Sequence, residues 1–201
     1  MSPTLRSGVA SRKTAETRVR VEVILDAPDG GTQKVSTGLP FFDHLLTAFA
    51  RHGRMGLVVD TEGDLEIDPH HTVEDTGIVL GQAIKLALGD RVGIERMGHD
   101  YVPMDEALVR AAFDLSGRSY LVFHVSVPGV YLPTIDLTLI EGFWKALCDS
   151  LGANLHIDAL AGRDYHHVVE ATFKACGRAL RRAGRFDGTR KLASTKEALD
   201  V

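Results

Sequence analysis

The feature that most constrains this chain is a duplication. The run His70-His71-Thr72-Val73-Glu74-Asp75-Thr76 is matched without gaps, 96 residues later, by His166-His167-Val168-Val169-Glu170-Ala171-Thr172. The match continues through Gly81 over Gly177, Ala83 over Ala179 and Ile84 over Leu180, and upstream Gly63 lies over Gly162. Phe42-Asp43-His44-Leu45 resembles Ile140-Glu141-Gly142-Phe143. A chain of 201 residues that repeats itself once is expected to fold as two similar halves, about 12–93 and 94–184, followed by a tail over 185–201. Neither half is large enough to make a confident core alone, so the two are expected to share one.

Local patterns fill in each half. Thr17–Asp26 alternates Val19, Val21, Val23 and Leu25 with polar residues, as a half-buried strand does. Pro28-Asp29-Gly30-Gly31 reads as a turn and Thr32–Thr37 as the returning strand of a hairpin. Pro40–His52 sets Phe41, Phe42, Leu45, Leu46 and Phe49 on one helical stripe ending at Gly53. Short strands are expected at Leu57–Thr61 and Leu65–Ile67, then an Asp68-Pro69 helix start and a helix over about His71–Leu88. The second half reads as a hairpin of Leu108–Leu115 and Tyr120–Val127, a helix near Thr138–Leu151, a strand near Asn154–Asp158 and a helix near Val168–Ala183. Hairpins with helices on one face give an α+β, two-layer reading for each half.

Composition removes several function classes. A net charge of −4 offers no broad field for nucleic acid, and no apolar run approaches the ~20 residues that span a bilayer. The N-terminus lacks the apolar stretch of a secretory signal, and two cysteines are too few for a disulfide scaffold, so a reducing cytoplasm is expected. Cys148 and Cys176 fall in apolar stripes as small core residues.

The duplicated motif carries the chemistry. Spacing of i and i+4 sets His70 with Glu74, and His166 with Glu170, on one face of a helix's first turn. His71 and His167 point about 100° away, toward a second site. One such motif is usually a solvated helix start; two ungapped copies point to a metal. Imidazole and carboxylate without thiolate suit Mn, Fe, Co, Ni or Zn. His44 is favoured as a further ligand, His52 suits a ligand and a helix-end cation equally, and His99, His124 and His156 read as structural. Arg96 in a Gly-flanked stretch, Arg118 in a turn, and Ser194-Thr195-Lys196 in the tail have the chemistry that holds a phosphate.

These residues resemble a known family, the imidazoleglycerol-phosphate dehydratases of histidine biosynthesis. The resemblance runs from Arg12-Lys13-Thr14-Ala15-Glu16-Thr17 to the tail. It is carried by Phe42-Asp43-His44-Leu45-Leu46, Gly63-Asp64-Leu65-Glu66-Ile67-Asp68 with the first His pair, Pro103-Met104-Asp105-Glu106-Ala107-Leu108, Asp114-Leu115-Ser116-Gly117-Arg118 and the second His pair. The resemblance implies a fold of the ribosomal protein S5 domain 2 type and a lyase that converts imidazole glycerol phosphate to imidazole acetol phosphate and water. It implies two Mn²⁺ per active site and a 24-subunit homo-oligomer with sites built from more than one chain. The ligands it implies are His44, His70, His71, Glu74, His166, His167 and Glu170. Catalytic roles fall on Glu16, His44 and His70, and the phosphate on Arg96, Arg118, Ser194, Thr195 and Lys196. An inactive metal-stabilised assembly subunit and a different His/Glu metal hydrolase are the competing readings.

One position departs from the pattern. The family usually has a histidine ligand 24 residues before the second His pair; here that place is Gly142. The internal repeat agrees, because His44 superposes on Gly142. One metal position should therefore have one protein ligand fewer.

Overall fold

The structure, a computed structural model, describes residues 5–128, 135–189, 191–196 and 198–199. The first half contains β1 (Ser7–Lys13), β2 (Thr17–Ile24), β3 (Gln33–Ser36), α1 (Pro40–Gly53), β4 (Gly56–Gly63) and α2 (His70–Leu88). The second contains β5 (Met97–Met104), β6 (Ala107–Asp114), β7 (Tyr120–His124), α3 (Leu137–Leu151), β8 (Asn154–Ala161) and α4 (Tyr165–Ala183). The two four-stranded sheets have the same plan, β1-β2-β4-β3 and β5-β6-β8-β7.

The hairpins differ from the sequence reading. β2 pairs antiparallel with β1 and β4, whereas β3 pairs parallel with β4. The residues around 32–37 therefore do not return along β2; they lie beyond β4, and α1 makes the crossover that a parallel pair requires. The same correction applies to β6 and β7, which are not paired: β7 runs parallel to β8, with α3 as the crossover. The true hairpins are β1–β2 and β5–β6, whose first strands were not read from sequence. Residues 65–67 form a turn, not a strand, with Ile67 N–H donating to Asp64 O.

The repeated plan explains the shared core. α2 covers β1 and β2, and α4 covers β5 and β6; α1 then packs on α4 and α3 on α2. Helices of one half thus meet helices of the other between two outer sheets. Phe42 and Phe49 of α1, Phe143 and Trp144 of α3 and Phe173 of α4 interlock there as a fully buried aromatic cluster. Each aromatic ring removed from water contributes on the order of 2 kcal/mol, and a half-chain would leave that face wet.

Candidate metal centre

Both long helices begin at the edge where the hairpin turns of their sheets lie. Asp164 accepts from His167 N–H as the cap of α4, and Asp68 accepts from His70 N–H (2.6 Å) at the start of α2. α4 begins three residues earlier than the apolar pattern indicated, which places His166 and His167 inside its first turn.

The second half builds a compact donor set with help from the first. His44 of α1 reaches across the α1–α4 packing, so that its Nε2 and that of His166 each lie 2.9 Å from Glu170 Oε2. The donor atoms of His44, His166 and Glu170 all fall within 4.8 Å of one another. Phe41 backs the two imidazoles, its ring centroid 5.2 Å from that of His166. Glu170 is buried, and Lys174 Nζ holds its other oxygen at 2.7 Å. Burial pushes the Glu170 carboxyl up, but the His44 and Lys174 hydrogen bonds and the Lys174 charge prevail and hold it at about 2. A preformed, ionised carboxylate facing two imidazole nitrogens fits a divalent transition ion.

The first half is looser. His70 Nε2 stands 3.8 Å from Glu74 Oε2, and both side chains are about half exposed. Among the described residues no third ligand-type side chain joins them within metal-binding range.

His71 and His167 turn away from these pairs, their rings nearly perpendicular to those of His70 and His166. His71 Nδ1 lies 3.0 Å from Asp64 Oδ2, and His167 Nδ1 lies 2.8 Å from Glu106 Oε2. A carboxylate at Nδ1 fixes the ring and leaves Nε2 facing outward, as in imidazoles that bind a metal. Glu16, in the β1–β2 turn, approaches His71 Nε2 at 3.9 Å. Asp64, Glu106 and Lys174 were not singled out as functional from sequence, although the first two sit inside quoted motifs and Lys174 stands four residues from Glu170. His52 lies eight residues along α1 from His44, and burial, with the charges of Lys174 and Arg178, lowers its pKa; the structure places it outside the donor set.

The anion-binding candidates gather at the other end. Arg96 N–H donates to Ala183 O at the end of α4, and Arg96 O accepts from Leu115 N–H, three residues before Arg118. The Arg96 guanidinium grips both Asp114 oxygens (2.7 and 3.0 Å) and donates to Ala193 O, which brings Ser194-Thr195-Lys196 alongside. From His166 to Ala183 runs most of a 19-residue helix, roughly 25 Å. Arg96 and the imidazoles therefore lie at opposite ends of α4.

A duplicated α+β fold thus presents paired His-His-x-x-Glu helix starts at one end and a group of arginine and tail residues at the other. Residues 37–180 match the family model for imidazoleglycerol-phosphate dehydratase. Proteins with that name from Leuconostoc mesenteroides and Streptococcus thermophilus are 52% and 53% identical to this chain, each covering 89% of it and 90% and 91% of their own length. Solved imidazoleglycerol-phosphate dehydratase structures from Staphylococcus aureus and Pyrococcus furiosus, each 34% identical, superpose with TM-scores of 0.76 and 0.80. They cover 88% and 94% of this chain and 97% and 99% of their own. This chain belongs to the imidazoleglycerol-phosphate dehydratase family.

Proposed function

We propose that this protein is a hydro-lyase of histidine biosynthesis that converts imidazole glycerol phosphate to imidazole acetol phosphate and water. Membership of the family carries the reaction, and the His44–His166–Glu170 donor set supports metal dependence. Two Mn²⁺ ions are assigned, one to His44, His166 and Glu170 and one to His70 and Glu74, with the outward His71 and His167 serving ions of neighbouring copies. When bound, such ions act as Lewis acids that stabilise negative charge developing on the substrate's imidazole.

The chain's own groups supply the rest. Glu16, exposed on its turn near His71, takes the substrate's weakly acidic C2 proton, the C3 hydroxyl leaves with a proton as water as the C3–O bond breaks, and the resulting enol ketonises. His44 and His70 orient the imidazole end. Arg96, Arg118, Ser194, Thr195 and Lys196 hold the phosphate, so that binding energy far from the reacting carbon fixes its position. The roughly 25 Å between the two ends of α4 supports a site completed by a second copy, and a 24-subunit assembly is the form proposed. A cytoplasmic setting is supported by two buried free cysteines, and among the described residues no helix is long and apolar enough to cross a membrane.

The test is turnover of imidazole glycerol phosphate by purified Mn²⁺-loaded protein, with metal content and particle mass measured on the same sample. Formation of imidazole acetol phosphate by the oligomer is expected. No product from protein carrying both ions would overturn the proposal.

A further inference from the structure

The duplication extends to the end of the molecule where Arg96 lies. A Cβ at Gly8 of β1 would lie 2.1 Å from Ala83 O and 2.8 Å from Ala87 N; one at Gly98 of β5 would lie 2.5 Å from Ala179 O and 2.3 Å from Ala183 N. Ala83 and Ala179 are repeat partners, so Gly8 matches Gly98, and at the same shift of 90 residues Arg6 matches Arg96. Backbone bonds agree, since Leu25 N–H donates to Arg6 O (2.8 Å) and Leu115 N–H to Arg96 O (3.0 Å). Each guanidinium grips a carboxylate with two N–H groups, Asp26 for Arg6 and Asp114 for Arg96. Each also donates to a carbonyl beyond α4, that of Gly184 or that of Ala193. The first half thus has its own copy of the end that the second half offers to a phosphate.

Arg6 lines a cavity of about 830 Å³ between the β2–β3 connection and the C-terminal ends of α1 and α4. That volume is in the range of small-molecule sites. Leu25, Met55 and Leu180, all buried, give it an apolar floor. Arg6, Arg51, Arg54, Arg181 and Arg185 line it against two carboxylates, Asp26 and Asp29. Arg6 is committed to Asp26 and Arg185 to Glu95 (2.8 Å), whereas among the described residues Arg51, Arg54 and Arg181 make no ion pair. The cations crowd one another: burial and the charges of Arg54, Arg178, Arg185 and Arg182 all lower the Arg181 pKa. Helix C-termini attract cations, which accounts for Arg51 and Arg181 in the last turns of α1 and α4. Arg54 is different. It follows α1 in the left-handed conformation (φ 50°), where an L side chain is disfavoured. At the shift of 98 residues that sets His44 over Gly142, its counterpart closing α3 is Gly152 (φ 68°), the residue that conformation favours.

We propose that this cavity is a second anion site, which binds a small phosphate monoester with an apolar body. The phosphate lies on Arg51, Arg54 and Arg181, whose planar donor groups match its oxygens. The body rests on Leu25, Met55 and Leu180. A monoester suits the cavity better than free phosphate because the space is much larger than one ion and apolar beneath. The likeness to Arg96 rests on the reading above that Arg96 holds the substrate's phosphate; the cavity and its charge stand without it.

The experiment is calorimetric titration of the assembled protein with phenyl phosphate and, separately, with inorganic phosphate. It is run on wild type, on the double variant Arg54→Gly with Arg181→Gln, and on Lys196→Gln. Arg54→Gly removes a charge while suiting the backbone, as the matching position in the other half does. One hydrogen bond to a charged group is worth about 10-fold in affinity, so losing two guanidinium groups should weaken this site by at least that. Wild type is expected to bind two phenyl phosphates per chain, one weakened by the double variant and the other by Lys196→Gln. At the arginine-dependent site phenyl phosphate should bind more tightly than inorganic phosphate. Binding that the double variant leaves unchanged would overturn the inference, and equal affinity for the two probes at this site would overturn the choice of a monoester. If only the arginine-dependent event is found, the cavity stands and the phosphate role read for Arg96 and Lys196 falls. Arg181→Gln alone, at an exposed side chain, keeps the test intact if the double variant does not assemble.

Discussion

The two halves of this molecule share a topology, a helix start and a His-His-x-x-Glu motif, yet they build different centres. In the second half Glu170 is buried, ionised and clamped by Lys174, and His44 arrives from the other half to close the set. In the first half the residue four beyond Glu74 is Ile78, Glu74 is half exposed, and Gly142 replaces the arriving imidazole. The motif is thus only a scaffold. What makes a preorganised centre is the residues brought to it by packing: a lysine one turn further on and a histidine on the helix that crosses.

Breaking that comparison at Glu170 should have the largest effect. Glu170→Gln leaves the Lys174 ammonium, 18% exposed, without its counter-charge and removes a carboxylate donor. Breaking one side of a buried pair costs roughly 3 kcal/mol, so denaturant midpoints of the metal-free protein should fall clearly and the tight ion should be lost. Glu74→Gln, at a half-exposed group, should move stability by no more than about 0.5 kcal/mol. Equal destabilisation by both substitutions would show that burial does not distinguish the halves.

His44→Ala should make the second centre imitate the first. It removes one donor from the set while leaving His166, Glu170 and Lys174 in place. We expect Mn²⁺ at that centre to weaken by at least about 10-fold, and the affinity difference between the centres to shrink. The side chain is about half exposed, so folding should be nearly unaffected. Calorimetric Mn²⁺ titration reads the first effect and thermal unfolding of metal-free protein the second; an unchanged tight ion would remove His44 from the centre.

How much of this was readable from the chain follows the range of the interactions. The helices were legible because Phe42, Leu45, Leu46 and Phe49 repeat at helical spacing, and the paired motifs were legible because i and i+4 on a helix are fixed neighbours. The partner of β3 was not. An extended segment such as Gln33–Ser36 carries no mark of whether it lies beside β2 or crosses over to β4. β1 and β5 were missed because Ser7–Lys13 and Met97–Met104 hold few apolar residues in alternation. Within the site, the donors that share a motif were found, while Asp64 and Glu106, fixed by turns and hairpins at a distance, were not assigned roles. The repeat did identify Gly142, since a duplication transfers long-range packing from one half to the other, here at a shift of 98 residues where the His pairs are shifted by 96.

The smallest expected effect concerns the outward histidines, where the halves agree in result but not in means. His167 is held by Glu106 of the β5–β6 turn, and His71 by Asp64 beyond β4. The Glu106 bond raises the His167 pKa, and the Asp64 bond does the same for His71. His167 in turn, with the backbone N–H groups of Arg163 and Asp164, draws Glu106 down to about 2. The sign of the linkage follows from both shifts. The raised imidazole stabilises the metal-free protein fully below its ordinary value of ~6.5, and that contribution is lost as pH rises through the folded value. The depressed carboxyl contributes above its ordinary value of 4.5 and loses its effect as pH falls toward 2. The pair therefore stabilises most between those limits, modestly, because both groups touch solvent. Glu106→Gln should bring the His167 titration back toward ~6.5 while leaving His71 unchanged, read by NMR of the ring protons in metal-free protein. If both histidines moved together, or neither moved, the separate anchoring of the two halves would be wrong. Because an imidazole must shed its proton to bind a metal, the same variant should release fewer protons on Mn²⁺ uptake near neutral pH.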